Sequence, residues 1–178
     1  MVVPDTLFLP SAGYRVLVFT TDLMTTPDTP ATAVDWRAHL IDDAAGIERL
    51  LRRTHRIAVL GIKTEETGQP AYYVPEYAQR AGYTIAPVPV YYPDVTEILG
   101  EPVVRTVSAV PGQIDMVNVF RRPRDIDQHV DDILAKHPAS VWFQLGIRND
   151  SAAERFARAG IDVVQDRCLL VELQGIGR

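Results

Sequence analysis

Three observations predict a doubly wound α/β fold built on a parallel sheet. From Asp35 onward, strand-like and helix-like segments alternate along the chain. The strand-like segments are short apolar runs without polar alternation, the pattern of strands covered on both faces. The helix-like segments carry apolar residues at helical spacing. At 178 residues the chain exceeds a typical domain of about 150, so the regular part and the remainder are read separately.

The remainder is residues 1–35. Tyr14-Arg15-Val16-Leu17-Val18-Phe19-Thr20 is strand-like by content but stands isolated between Pro10 and Pro27. The following run, Thr25-Thr26-Pro27-Asp28-Thr29-Pro30-Ala31-Thr32, has almost nothing to bury. An irregular, loosely attached extension is expected there.

The predicted domain is residues 36–178. Leu40, Ile41, Ala44, Ile47, Leu50 and Leu51 predict an amphipathic helix over 35–53, closed by Arg49, Arg52 and Arg53 at its negative dipole end. Residues 56–61 read as a buried strand. Residues 72–81 read as a helix with Pro75 in its first turn and Gly82 at its C-terminus. Residues 84–88 and 115–120 are further strands, and 124–137 is a helix with Ile126, Val130, Ile133 and Leu134 on one face. Then follow a strand over 140–145, a helix over 151–159 with Asn149 or Asp150 as cap, a strand over 161–164 and an apolar run over 169–173. The alternation is that of a Rossmann-like sheet.

Composition narrows the function. Apolar residues make up 47%, enough for a sizeable core, and 18 basic against 23 acidic side chains leave a net charge of −5. This excludes a general nucleic-acid binder, which carries a basic excess. A single cysteine excludes a disulfide framework and a cysteine-rich zinc site. No apolar run approaches the roughly 18 residues of a membrane span. The start, Met1-Val2-Val3-Pro4-Asp5, lacks the basic region of a secretory signal, so a cytoplasmic location is expected.

In an open α/β sheet a ligand binds beyond the carboxyl ends of the strands, where the strand order reverses. Two loops would border that crevice. The first, Gly61-Ile62-Lys63-Thr64, joins a glycine at a strand end to a cation and a hydroxyl, a workable phosphate cradle. It equally suits an ordinary strand-to-helix turn. It matches neither G-x-G-x-x-G nor the P-loop. In the second, Phe120-Arg121-Arg122-Pro123, two arginines precede a helix, and Arg124 follows. Cations there oppose the helix dipole at about 0.3–1 kcal/mol each, a conflict that a bound anion relieves and a solvated charge run tolerates. Phe120 suits either the core or stacking on a ligand.

Catalytic constellations are missing from the pattern. His39, His55, His129 and His137 are scattered, and His129 and His137 read as surface residues of one helix. Cys168, next to Arg167 at the end of a buried run, reads as a structural thiol or as a redox-responsive one.

Seven segments carry a family resemblance: Ile57-Ala58-Val59-Leu60-Gly61, Gln69-Pro70-Ala71-Tyr72-Tyr73-Val74, Gly82-Tyr83-Thr84-Ile85-Ala86-Pro87-Val88, Leu99-Gly100-Glu101, Asp115-Met116-Val117-Asn118-Val119-Phe120-Arg121-Arg122-Pro123, Val141-Trp142-Phe143-Gln144-Leu145-Gly146 and Asp166-Arg167-Cys168. In this order they resemble the small stand-alone CoA-binding proteins of the YccU type, single Rossmann-like domains similar to the CoA-binding domain of the succinyl-CoA synthetase α subunit. The resemblance spans about residues 40–173.

The resemblance implies a small-molecule nucleotide ligand, CoA or an acyl-CoA, in the crevice. Gly61, Ile62, Lys63 and Thr64 would meet the phosphates, with Pro70 and Tyr73 beside them. Val88 and Pro89 would border the adenosine, and Phe120, Arg121 and Arg122 the nucleotide and thioester arm. Two departures stand out. Val88-Pro89-Val90 replaces the usual Val-Asn-Pro, and Gln69 stands where arginine is common, with Lys63 as the compensating cation. The expected role is a non-catalytic binding or regulatory module, with no nucleic-acid or membrane partner. The alternative is an NAD(P)- or other nucleotide-binding redox sensor using Cys168, although Val88-Pro89-Val90 offers no acid for a ribose diol. Ligase chemistry, by the same resemblance, would need a phosphohistidine facing the crevice.

Overall fold

The computed structural model describes residues 35–178. The strand-like run at 14–20 and the Pro/Thr-rich run therefore lie outside the described residues.

Five parallel strands form one sheet: β1 (Arg56–Leu60), β2 (Thr84–Val88), β5 (Met116–Val119), β6 (Ser140–Phe143) and β7 (Asp162–Val164). Their order is β2-β1-β5-β6-β7, so the chain reverses its direction of travel between β1 and β5. The helices are α1 (Ala44–Arg53), α2 (Pro70–Arg80), α3 (Asp127–Lys136), α4 (Asp150–Arg158) and α5 (Leu169–Gly175).

Alternate strand residues feed two cores, as the two-residue side-chain period requires. Ile57, Val59, Ile85, Met116, Trp142 and Val164 pack beneath α1, α2 and α5. Ala58, Leu60, Val117, Val119, Val141, Phe143 and Val163 pack beneath α3 and α4. This double coverage explains why the strands read as unbroken apolar runs. Asp115 fixes the entry of the central pair, its carboxylate accepting from His55 and Arg56 N–H at 2.9 Å each.

Several boundaries differ from expectation. The helix expected over 35–53 is split. Asp35 starts a 3-10 turn, Trp36–His39, by accepting from Arg37 N–H. The chain then extends, Leu40 bridges in parallel to Val163, and Asp43 caps α1 by accepting from Gly46 N–H at 2.8 Å. Two aspartate caps and one sheet-edge contact thus override a continuous apolar period. The helix expected from 124 is preceded by a 3-10 turn, Pro123–Asp125, so α3 opens at Asp127. The closing apolar run is α5. A hairpin of β3 (Glu97–Ile98) and β4 (Glu101–Pro102) turns through Leu99 and Gly100, both at positive φ. Two-residue strands leave too little periodicity to read.

Pro75 sits in the second turn of α2, because the helix starts at Pro70. A proline there removes the N–H that would bond the carbonyl of Ala71. Lys63 N–H supplies the missing donor at 3.1 Å. The loop after β1 is thereby hydrogen-bonded to the first turn of α2.

Gly61 ends β1 at φ +85°, with its N–H on Val88 O at 2.8 Å. A Cβ there would lie 2.5 Å from Phe120 O and 3.2 Å from Arg121 Cδ. Gly61→Ala is expected to lower unfolding free energy by about 2–4 kcal/mol, from left-handed strain plus overlap with backbone. Denaturant unfolding monitored by tryptophan fluorescence measures it.

Candidate functional site

The loops after β1, β2, β5 and β6 meet at the carboxyl edge of the sheet and enclose three adjoining cavities. The first, about 350 Å³, is lined by Lys63, Gln69, Tyr91, Arg121, Arg122 and Asp125, with Phe120 at its base. Three cations and one carboxylate make it locally positive in a chain of net charge −5. The second, about 480 Å³, shares Lys63, Gln69 and Phe120–Arg122 with the first. It extends along an apolar wall of Pro70, Tyr73, Val74 and Ile147 to Cys168. The third, about 460 Å³, shares Tyr91 with the first and is lined by Pro89, Arg105, Thr106, Gln128, His129 and Asp132.

Arg121 is the most constrained of the cations. It is only 7% exposed, yet its Nε has no hydrogen-bond partner among the described residues. Its other guanidinium contacts are long: Tyr91 Oη at 3.5 Å and Asp125 at 3.8 Å. Lys63 Nζ lies 4.9 Å from the centre of the Tyr91 ring, and the Arg121 guanidinium carbon 5.7 Å from it. Tyr91 is therefore within cation–π reach of two cations. The hydrogen bond from Arg121, then its charge, hold the Tyr91 phenol below its usual pKa.

Two further buried polar atoms lack partners among the described residues, Asn118 Nδ2 and His129 Nε2. Asn118 is fully buried at the end of β5, and its Oδ1 accepts from Gln144 Nε2 at 2.9 Å. Gln144 Oε1 in turn accepts from Leu169 N–H at 3.3 Å, tying α5 to the sheet. The loop carrying Tyr91 is held from behind by Arg105, which donates to the carbonyls of Tyr92, Pro93 and Val95 at 3.0, 2.8 and 2.5 Å. Asp132 accepts from Val107 and Ser108 N–H at 2.8 and 3.0 Å.

The residues singled out in the sequence are distributed unevenly. Lys63, Pro70, Tyr73, Phe120, Arg121 and Arg122 come together around the first two cavities, and Pro89 borders the third. Ile62 and Val88 are buried core residues, so only their backbones face the edge. Gly61 serves the turn geometry, and Thr64 starts a 3-10 turn, Glu65–Thr67, outside these linings. Arg124, grouped with the other arginines by sequence, lines none of the three cavities, and its side chain is largely solvent-exposed. Arg167 does not turn to Cys168. Its guanidinium contacts Asp42 O and Glu172.

Sequence spacing missed Tyr91, Gln144 and His129. Gln144 left a trace, as a polar residue closing an apolar strand run. Tyr91 and His129 left none, because their placement depends on the loop after β2 folding over α3.

Residues 55–174 match the CoA binding domain family. The chain belongs to that family. YneT of Bacillus subtilis (strain 168), an uncharacterised protein, is 33% identical over 127 residues, covering 71% of this chain and 91% of YneT. A Thermus thermophilus protein of known structure is 34% identical with a TM-score of 0.69, covering 76% of this chain and 99% of its own. A Pyrococcus horikoshii OT3 protein is 27% identical with a TM-score of 0.69, covering 76% and 92%. CoA binding is thus supported by family. Among the described residues no helix is long and apolar enough to cross a membrane, and no cluster of His, Cys, Asp or Glu is arranged to hold a metal.

His129 allows a direct check of the third cavity. Burial, then the Arg121 charge, lower its pKa, while Asp132 and Asp125 act against them. The native state therefore binds the imidazole proton less readily than the unfolded chain. Native stability should fall as pH drops below about 6.5, the unfolded value. In His129→Gln that part of the loss should be absent, as read from denaturant midpoints between pH 5 and 7.5.

Proposed function

We propose that this protein reversibly binds CoA or an acyl-CoA across the carboxyl edge of its sheet, as a binding or regulatory module without chemistry of its own. The observation that carries this reading is Arg121. A buried guanidinium with an unpartnered Nε, flanked by Lys63 and Arg122, fits the phosphates of a nucleotide. The N-terminus of α2 borders the same space through Gln69 and Pro70, and its cap makes no side-chain hydrogen bond. In this reading Lys63, Arg121 and Arg122 hold the phosphates. Pro89 and the third cavity border the adenosine. Phe120, Pro70 and Tyr73 line the path of the pantetheine arm. Gln69 contributes an amide where a cation is common, which leaves Lys63 as the cation of its loop.

Calorimetric titration of the full chain with CoA is the test, with dephospho-CoA, AMP and NAD as comparisons. CoA is expected to bind tightest. Each lost charge-assisted hydrogen bond is worth about 1.5–3 kcal/mol, so Lys63→Ala and Arg121→Met should each weaken CoA binding roughly 10- to 100-fold, with thermal unfolding confirming that they fold. The affinity should also fall with added salt. Absence of heat from CoA at millimolar concentration would overturn the reading. NAD binding more tightly than CoA would replace it with the nucleotide-sensing alternative.

A further inference from the structure

We infer that Cys168 is an attachment point for the CoA thiol, forming a mixed disulfide by exchange with a CoA disulfide. The inference rests on the proposed CoA site and adds a covalent event to it.

Two independent observations lead there. The first is placement. Cys168 is partly exposed and lines the cavity of about 480 Å³ that Lys63, Arg121 and Arg122 also line. Pro70, Tyr73, Phe120 and Ile147 add apolar surface to the same lining. A ligand anchored by phosphates at one end and carrying an uncharged arm that ends in sulfur matches this set of environments. The second is Arg121, a residue only 7% exposed that lines the same cavity and whose Nε has no hydrogen-bond partner among the described residues. A buried guanidinium left short of partners calls for an anion in that cavity.

The cysteine is also held in position. Trp142 Nε1 donates to Arg167 O at 2.8 Å, just before it, and Leu169 N–H donates to Gln144 Oε1 at 3.3 Å, just after it. Asp166, at φ +56°, accepts from Gly146 N–H at 2.6 Å. The Arg167 guanidinium contacts Asp42 O and Glu172. Delivery of the sulfur by the bound nucleotide is what favours reaction here.

The step balances without an outside oxidant. Cys168 gives up its proton and attacks one sulfur of the CoA disulfide. A bond forms from Sγ to that sulfur, the original sulfur–sulfur bond breaks, and the second CoA leaves as a thiolate that takes up a proton. Cys168 is oxidised and the departing CoA is reduced.

The chain contains one cysteine, so intact mass alone locates an adduct. The full chain, reduced and then freed of reductant, is incubated with CoA disulfide or with glutathione disulfide at equal concentration. Attachment of one CoA is expected, at least about tenfold faster than attachment of glutathione, and reversed by dithiothreitol. Lys63→Ala should slow the CoA reaction by a larger factor than the glutathione reaction, and Cys168→Ser should take up neither. No CoA adduct, or equal rates with the two disulfides, overturns the inference. Calorimetry of the reduced protein with CoA in excess reductant reads reversible binding separately. Heat there without an adduct removes only the covalent step. No heat and no adduct removes the binding site as well.

Discussion

The site depends on how closely two strand ends approach. At Gly61 the chain leaves β1 against the backbone of Phe120, with room for a hydrogen and nothing larger. The same residue hydrogen-bonds β2 through Val88 O, while Phe120 N–H bonds Leu60 O at 2.9 Å. Three strand ends are thus drawn together at one point. Consequently the loop after β1 and the loop after β5 lie side by side, and Lys63 and Arg121 share a cavity. The Lys63 N–H to Ala71 O bond then fixes the far side of the first loop to α2. Pro75, which looks like a flaw in α2, is the reason that carbonyl is available to it.

Bringing cations together at a low-dielectric edge has a cost. A buried charge that loses its partner destabilises by about 3–5 kcal/mol, and Arg121 has only a distant carboxylate, a phenol and a ring face to offset this. The protein tolerates it through Tyr91. That ring lies within cation–π reach of both Lys63 and Arg121 and offers electron density to each. Arg105 holds the Tyr91 loop in place through three carbonyls. In the proposed reading, the cost of gathering charge is built into the fold and would be offset by the phosphates of the ligand.

The sheet was legible because each strand is covered on both faces, so its burial shows as an uninterrupted apolar run, as in Ile57-Ala58-Val59-Leu60. The crevice was legible from topology, since the reversal of strand order between the first and third main strands follows from the alternation of elements. Helix starts were less so. Asp43 caps α1 in the middle of a continuous apolar period, and periodicity does not register a cap. In the site, Lys63 and Arg121 were readable as charges at strand ends. Arg124 has the same charge and nearly the same position, and it points elsewhere. The difference is one turn of 3-10 helix before α3, which rotates Arg124 outward. Tyr91 and His129 were unreadable because their neighbours come from elements about 30 to 40 residues away in sequence, a separation at which local pattern carries no information.

The three cavities together constrain the ligand more than any one does. A lone phosphate would answer the charge of Arg121, Lys63 and Arg122 but would leave the apolar wall toward Cys168 and the polar space around His129 without a role. A compact mononucleotide would reach two of the three. A ligand with its anionic groups in the middle, an aromatic base on one side and a long uncharged arm on the other meets all of them. It would place the base against Pro89 and His129, where the unpartnered Nε2 can pair with a ring or sugar atom. The lowered pKa of His129, from burial and then the Arg121 charge, fits that use, because a neutral imidazole can either donate or accept there. In the proposed reading the charge cluster receives the phosphates, and the spaces adjoining it favour an extended molecule over a small one.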